Sequence, residues 1–501
     1  MLIEFIMKVI IIGGGVAGLS AGIYARKRGW ETVIYEKNAV AGGECTSWKR
    51  QGYHIDNCVH WMTGTSAEKE VYETWCDCGV LGEGVEIIKN RSIFSVISGG
   101  KSMEISRDVE KFRSDLLAIA PEDAAEIDWM IMAIKRYKAF NMLGKKPFDI
   151  MTLREKAKFI WSMLPLASVH KKLSRVSVKD YSMRFKSQVI RDIITAYLPD
   201  KFNASSLFFV FGTFMSGNCD LPKGGSDAIS QRMVDKYLSL GGVLKLKSPV
   251  GKIDFEGKYA KGVVLENGGY DTADYIICAC DVSVTFRKLL SSEHVDDYFK
   301  FRFLDKLRYP VYSSVNIYIG VDGELPSNMG DTMWFSTEPF VVGSREKDSF
   351  LIKNYASEPS FSPEGKNLLQ VLVVQYENDF EVWRGLYNLN RDAYKAHKAE
   401  VAASVIERIE RQFPALKGRM NVVETVTPMS FYRWCGAYKG AYMSFILTPF
   451  AAKKVHNGHL RTLKNVYLSG QWLQAPGGLP NAVVTGRFAI SRIAKAAGIK
   501  E

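Results

Sequence analysis

Lys8-Val-Ile-Ile-Ile-Gly13-Gly-Gly15-Val-Ala-Gly18, followed by Val33-Ile-Tyr-Glu36, decides the fold of this chain. Residues 8–12 are an apolar, β-branched run, the pattern of a buried strand. The glycines after it have G-x-G-x-x-G spacing. Gly13 permits a tight turn, Gly15 leaves room for a pyrophosphate, and Gly18 lets the next helix sit close on the strand. That helix is expected from Ala17 to about Arg28, with Leu19, Ile23 and Tyr24 facing inward. Its first turn, with Val16 and Ala17, offers free N–H groups and partial positive charge to phosphates. Residues 32–35 read as a second strand ending at Glu36-Lys37. An acid in that place accepts hydrogen bonds from a ribose diol. Strand, glycine turn, helix, strand and acid in this order specify a dinucleotide site. The glycines alone would also suit a tight turn in a ligand-free α/β domain.

The far end carries a second signal, Asn465-Val-Tyr-Leu-Ser-Gly470-Gln471, then Pro476-Gly-Gly-Leu479-Pro480-Asn-Ala482. Asn465–Ser469 reads as a strand and Gly470 as its terminal turn. A helix is expected from Pro476 through about Ala497, since proline is tolerated in a first turn. Between the two ends, Leu221-Pro-Lys-Gly224-Gly225-Ser226 precedes a helix with Ile229, Met233, Tyr237 and Leu238 on one face. Strands are expected at Val243–Lys247, Gly262–Leu265 and Tyr275–Cys278, with Asn267-Gly268 as a turn.

Past Glu36 come Ala41-Gly42-Gly43-Glu44-Cys-Thr46-Ser47-Trp and Gly52-Tyr-His-Ile-Asp56. With these elements the chain resembles the phytoene desaturase and carotenoid isomerase-like FAD-dependent oxidoreductases, within the amine-oxidase-like flavoprotein superfamily. The resemblance implies an α/β fold with a Rossmann-type FAD-binding domain assembled from residues 7–90, 217–288 and 459–501. It implies a mixed-sheet substrate domain from 91–130 and 289–458, and a helical lid from 131–216. The cofactor is then FAD, held by Gly13, Gly15, Val16, Ala17, Gly18, Glu36, Lys37, Gly42, Gly43, Val250, Gly470, Gln471, Leu479, Pro480 and Ala482, with Val250 near the adenine. The family's usual G-G-R is Gly42-Gly43-Glu44 here, so backbone N–H groups, Thr46, Ser47 or Lys49 would replace the arginine at the phosphates. The acid that usually follows the closing glycine is Gln471. The helix opening at Pro476 would point at the flavin's pyrimidine edge, where its dipole favours the reduced, anionic ring.

By the same analogy Asp56-Asn-Cys-Val-His60-Trp61-Met-Thr63-Gly64 faces the isoalloxazine, and Tyr432-Arg433-Trp434-Cys-Gly436-Ala-Tyr438-Lys439-Gly440-Ala-Tyr442, whose aromatics and glycines suit a flat ligand packed on backbone, is the second candidate. His60, Trp61, Arg433 and Tyr438 are the catalytic candidates. The alternatives are a structural histidine, a surface ion pair for Arg433, and plain packing for Tyr438.

The chain has 501 residues, 47% hydrophobic and 24% charged, which suits a folded protein of two or three domains. No apolar stretch reaches membrane-spanning length. Met1–Met7 lacks the basic start and cleavage site of a signal peptide. The eight cysteines include no C-x-x-C pair, so reduced thiols in a cytosol are expected and no metal. Net charge is +12, and much of it is local: residues 145–186 hold eleven Lys/Arg against three acids. Phe148, Phe159, Ile160, Trp161 and Leu164 interleave with them. Such a segment suits an anionic membrane surface, placing the protein at the inner face of the membrane. It equally suits a solvated helical cap. No nucleic-acid-binding motif accompanies the charge. The aromatic run Leu207–Met215 reads as core or as the lining of an apolar tunnel.

The expected activity is hydride transfer between flavin N5 and a C–C bond of an apolar polyene, isoprenoid or related lipid, as desaturase, saturase or isomerase. A non-redox lipid- or prenyl-binding protein of the same fold is one rival, and a flavin amine oxidase the other. No second G-x-G-x-x-G follows a strand, so the electron acceptor is expected to be a separate, unidentified partner.

Overall fold

The β-branched run at Lys8–Ile12 is the middle strand of a five-stranded parallel sheet, in the computed structural model that describes residues 6–90, 92–98, 101–140, 144–452 and 454–499. The order is Val243–Lys245, Glu31–Tyr35, Lys8–Ile12, Tyr275–Cys278, Val466–Leu468. Three separated stretches of chain therefore meet in one sheet. Parallel strands buried on both faces need continuous apolar runs, which these are. The helices Val16–Lys27 and Leu479–Ala496 pack on each other against this sheet. Met1–Phe5, most of the Met1–Met7 segment read as lacking signal-peptide features, lie outside the described residues, as do Lys500 and Glu501.

A seven-stranded mixed sheet forms the second layer. Its order is Met420–Val426, Tyr312–Asp322, Lys366–Tyr376, Arg345–Asn354, Thr332–Val342, Ser92–Ser98, Lys101–Ser106. Only the pairing of Thr332–Val342 with Ser92–Ser98 is parallel. Helices Ala124–Lys138, Leu153–Leu173, Gln188–Ala196 and Ala204–Met215 stand over its edge. Ala124–Lys138 runs unbroken through residues 130 and 131, so the lid boundary read there falls inside a helix. No helix among the described residues is long and apolar enough to cross a membrane.

Several expected elements shift. The strand at 243 ends at Lys245, because Lys247 turns left-handed at φ 51°. Gly262–Leu265 is the end of Tyr259–Leu265, the middle of a meander with Val250–Glu256 and Tyr270–Thr272. The closing helix starts at Leu479 rather than Pro476, since Gly477 and Gly478 have φ of 92° and 86°. Leu238 is 47% exposed, because Tyr237 beside it takes the inward position and hydrogen-bonds Thr32. Within Ala204–Met215, Leu207, Phe208, Phe211 and Phe214 are core, while Phe209 and Val210 reach the cavity described next.

Candidate cofactor and substrate site

One cavity of about 1120 Å³ runs from the glycine turn to the helical layer. Its first end is backbone. Gly13 turns at φ 110°, and a Cβ on Gly18 would stand 2.0 Å from the Gly13 carbonyl oxygen, so helix and turn touch through the missing side chains. Gly42 N–H donates to the Gly14 carbonyl at 2.8 Å, which lays the double glycine against the first turn. The Glu36 carboxylate is fixed by the N–H groups of Gly14 and Asn38, both at 2.8 Å. Two helices begin here, after Gly15 and Gly478; the first has no side-chain cap, while the Gly478 N–H is taken by Gln471 Oε1 at 3.0 Å. A helix N-terminus without a side-chain cap, beside a fixed acid, suits a dinucleotide with its anionic pyrophosphate.

Gly13, Gly15, Val16, Ala17, Glu36, Lys37, Gly42, Gly43, Val250, Gly470, Gln471, Leu479, Pro480 and Ala482 all line this cavity. Gly18 lies behind the turn. Thr46 and Ser47 are outside the lining and Lys49 is exposed, so none of them replaces the arginine. The strand Ser47–Arg50 carries them away along its hairpin with Tyr53–Asp56. Glu44 itself stays in the wall, and Gln471 Nε2 donates to its carboxyl at 2.9 Å. The two sequence departures, 427 residues apart, are one contact.

The middle of the cavity is polar. His60 Nε2–H donates to Gln370 Oε1 at 2.9 Å, and the Tyr355 hydroxyl donates to the same oxygen at 2.9 Å. Gln370 Nε2 donates to the Tyr318 hydroxyl, which donates to the Asp56 carbonyl at 2.8 Å. Asn316 and Asn57 join through their amides at 2.9 Å. Buried Lys353 donates to the carbonyls of Val59 at 3.0 Å and His60 at 3.4 Å. Burial lowers His60 to about 4, and the Lys353 cation adds to that, so the imidazole is neutral. Burial likewise lowers Lys353 to about 8. Trp61 donates its indole N–H to Tyr197. The far end is apolar, walled by Phe140, Met163, Leu166, Phe202, Phe209, Val210, Trp334, Phe350, Leu351, Leu372, Tyr442 and Met443.

His60 and Trp61 both line the cavity. Arg433 and Tyr438 do not line the cavity. Arg433 is exposed, with its guanidinium 4.9 Å from the ring centre of Tyr387. Tyr438 is buried against Phe303 and Trp472, with its hydroxyl taken by Lys306 at 2.6 Å. Asp281 was not singled out from the sequence. It lines the cavity, accepts from Ser283 N, Tyr438 N and Trp472 Nε1, and burial pushes its carboxyl up.

A family model described as flavin containing amine oxidoreductase matches residues 16–494. The chain belongs to that family. The protein is an FAD-dependent oxidoreductase, and the uncapped start of Val16–Lys27, Glu36 and the two glycine loops fit the cofactor. Relatives include all-trans-retinol 13,14-reductase of Danio rerio, 23% identical over 97% of this chain and 86% of that one. The 1-hydroxycarotenoid 3,4-desaturase of Flavobacterium sp. (strain P99-3) is 23% identical over 96% of this chain and 98% of that one. The chloroplastic prolycopene isomerase of Arabidopsis thaliana is 24% identical over 88% and 74%. Among solved structures, an oxidoreductase from Methanosarcina mazei aligns with TM-score 0.60 at 16% identity, covering 97% of this chain and 100% of that one. A putrescine oxidase bound to putrescine aligns with TM-score 0.60 at 14% identity, covering 97% and 99%. These two likenesses concern the oxidoreductase's fold alone.

Proposed function

We propose that this flavoprotein moves hydride between flavin N5 and a C–C bond of an apolar polyene, isoprenoid or related lipid. The observation that carries the reading is the cavity's composition: a backbone-lined dinucleotide end opens into a chamber of aromatic and aliphatic side chains. A long apolar molecule gains by leaving water for such walls, about 25 cal/mol per Å². Relatives named as a retinol reductase, a carotenoid desaturase and a prolycopene isomerase support the substrate class. Bound FAD supplies the hydride-accepting or hydride-donating atom. Neutral His60, held by Gln370, and Trp61, held by Tyr197, both line the cavity and are the residues this reading sets between substrate and cofactor. They orient the polyene and keep water from it.

In this reading residues 7–90, 217–288 and 459–501 hold FAD, 91–130 and 289–458 build the substrate chamber, and the helices of 131–216 cover it. The helix Leu153–Leu173 turns Met163 and Leu166 to the cavity and exposes Leu153, Ile160, Trp161 and Leu164 to solvent, among Arg154, Lys158, Lys171 and Lys172. That face suits an anionic bilayer, from which the substrate enters in this reading, with the protein peripheral on the cytoplasmic side. Flotation with liposomes tests it: retention only on anionic lipid, lost with salt, is expected, and no anionic preference overturns it.

The reaction is tested with anaerobic holoprotein and a panel of carotenoids, retinoids and isoprenoid lipids. Bleaching of the oxidised flavin band reports dehydrogenation. Return of the band in pre-reduced protein reports saturation. An unchanged band with a shifted product chromatogram reports isomerisation. Turnover of polyamines or aryl amines with no response to any polyene overturns the proposal.

A further inference from the structure

The position after the double glycine holds an acid, in a wall that must take an anionic dinucleotide. Glu44 is fixed there by Gln471, whose Nε2 donates to its carboxyl at 2.9 Å and whose Oε1 accepts from Gly478 N–H at 3.0 Å. The side chain thus ties the first glycine loop to the start of the closing helix. The charged group that bears on it is Asp281, from the loop after Tyr275–Cys278. The thiols of Cys58 and Cys435, from two other elements, complete its titratable surroundings, and Glu36 shares the same cavity wall. The lysines of this wall serve elsewhere: Lys288 pairs with Glu266, and Lys37 reaches the Arg433 carbonyl. Burial, then Asp281, raise the Glu44 carboxyl to about 8, while the Gln471 bond opposes them.

We propose that Glu44 is a proton-dependent positioning residue for the cofactor: FAD is held with Glu44 as a neutral carboxylic acid and is released as that proton leaves. One carboxyl oxygen keeps the Gln471 bond and the other carries the proton. Ionised, Glu44 would add a third carboxylate to the wall that Glu36 and Asp281 already line, facing an anionic dinucleotide, and like charges in a low-dielectric wall repel strongly. Binding to the ionised form therefore takes up one proton from solvent for each FAD. This holds whatever substrate the cavity takes.

Holoprotein dialysed to equilibrium against FAD solutions from pH 6 to 9.5, with bound flavin read by absorbance, tests the inference. Affinity is expected to stay level up to about pH 8 and then to fall by about tenfold per pH unit. Glu44→Gln keeps the hydrogen-bonding shape without the titration, so its affinity stays level across the range. Calorimetry of the parent at pH 9 in two buffers of different ionisation heat should show close to one proton taken up per FAD bound. An unchanged parent affinity up to pH 9.5, an equal fall in Glu44→Gln, or no proton uptake at pH 9 overturns the proposal.

Discussion

One oxygen of the Asp56 carboxylate lies 2.7 Å from the backbone nitrogen of Ser226, 170 residues further along the chain. The same carboxylate takes the Ser226 hydroxyl at 2.5 Å and the N–H groups of Cys58 and Val59 at 3.1 and 3.2 Å. It joins the first stretch of the nucleotide-binding sheet to the second, and it starts the turn that delivers His60. Asp56 is 1% exposed, so its donors find no water when it is removed. Asp56→Ala is expected to cost about 3–5 kcal/mol of stability and to lower the flavin content of the purified protein. Denaturant unfolding with and without added FAD checks both. A variant as stable as the parent would show that the four bonds are dispensable.

Gly15 and Gly18 separate cofactor binding from folding. A Cβ on Gly15 meets nothing closer than 3.7 Å, whereas one on Gly18 meets the Gly13 carbonyl oxygen at 2.0 Å. Gly15→Val is therefore expected to fold and to purify without flavin, since its branches project into the cavity where the pyrophosphate belongs. Gly18→Ala has to push helix Val16–Lys27 off its turn and should lose both flavin and stability. Circular dichroism melts beside the visible spectrum distinguish them; flavin retained in Gly15→Val refutes this placement of the phosphates.

The nucleotide end was legible because its signals are local. Glycine spacing, the flanking β-branched runs and Glu36 all lie within 29 residues, and each constrains backbone geometry by itself. The middle of the site was not. Asn316 and Gln370 sit on strands where every neighbour from Tyr312 to Val321, or from Leu368 to Val371, is buried, and only their polarity in an apolar run marks them. Nothing in the sequence says that Gln370 meets His60, 310 residues away. Arg433 and Tyr438 were chosen from an aromatic, glycine-containing segment, but the direction of a side chain on a short helix is set by what packs beside it. There Asp281 takes the Tyr438 N–H and turns that ring toward Trp472. Glu44 and Gln471 each looked like a lost contact; only the fold pairs them.

Lys353 predicts a pH dependence of stability. Lys353 is 8% exposed, and burial lowers its ammonium to about 8 from the 10.5 of a free lysine. Between those values the unfolded chain binds the proton that the folded protein lacks, so stability rises with pH in this window. The slope is about 1.4 kcal/mol per pH unit. Buried tyrosines, whose hydroxyls are pushed upward, oppose this above pH 10, so the difference between parent and variant isolates the lysine. Urea unfolding of parent and Lys353→Met from pH 7.5 to 10 should show the parent gaining about 2–3 kcal/mol relative to the variant. Parallel curves would mean that Lys353 keeps an ordinary affinity for its proton.

Met163 tests the apolar end of the cavity without touching the cofactor end. It lies on the helix Leu153–Leu173, half-buried, and lines the cavity. Met163→Asp puts a carboxylate where an apolar substrate would have to displace its water. Desolvating that group on substrate binding costs at least about 1.4 kcal/mol, tenfold or more in affinity. KM for a polyene substrate should rise by that factor while flavin content and the unfolding midpoint stay near those of the parent, because no buried partner of Met163 is lost to the nucleotide end. Met163→Leu keeps the surface apolar and should leave KM within about twofold. Equal KM values for the Asp and Leu variants would place the substrate elsewhere in the cavity, and a rise in KM confined to the Asp variant ties turnover to the chamber beneath the helices.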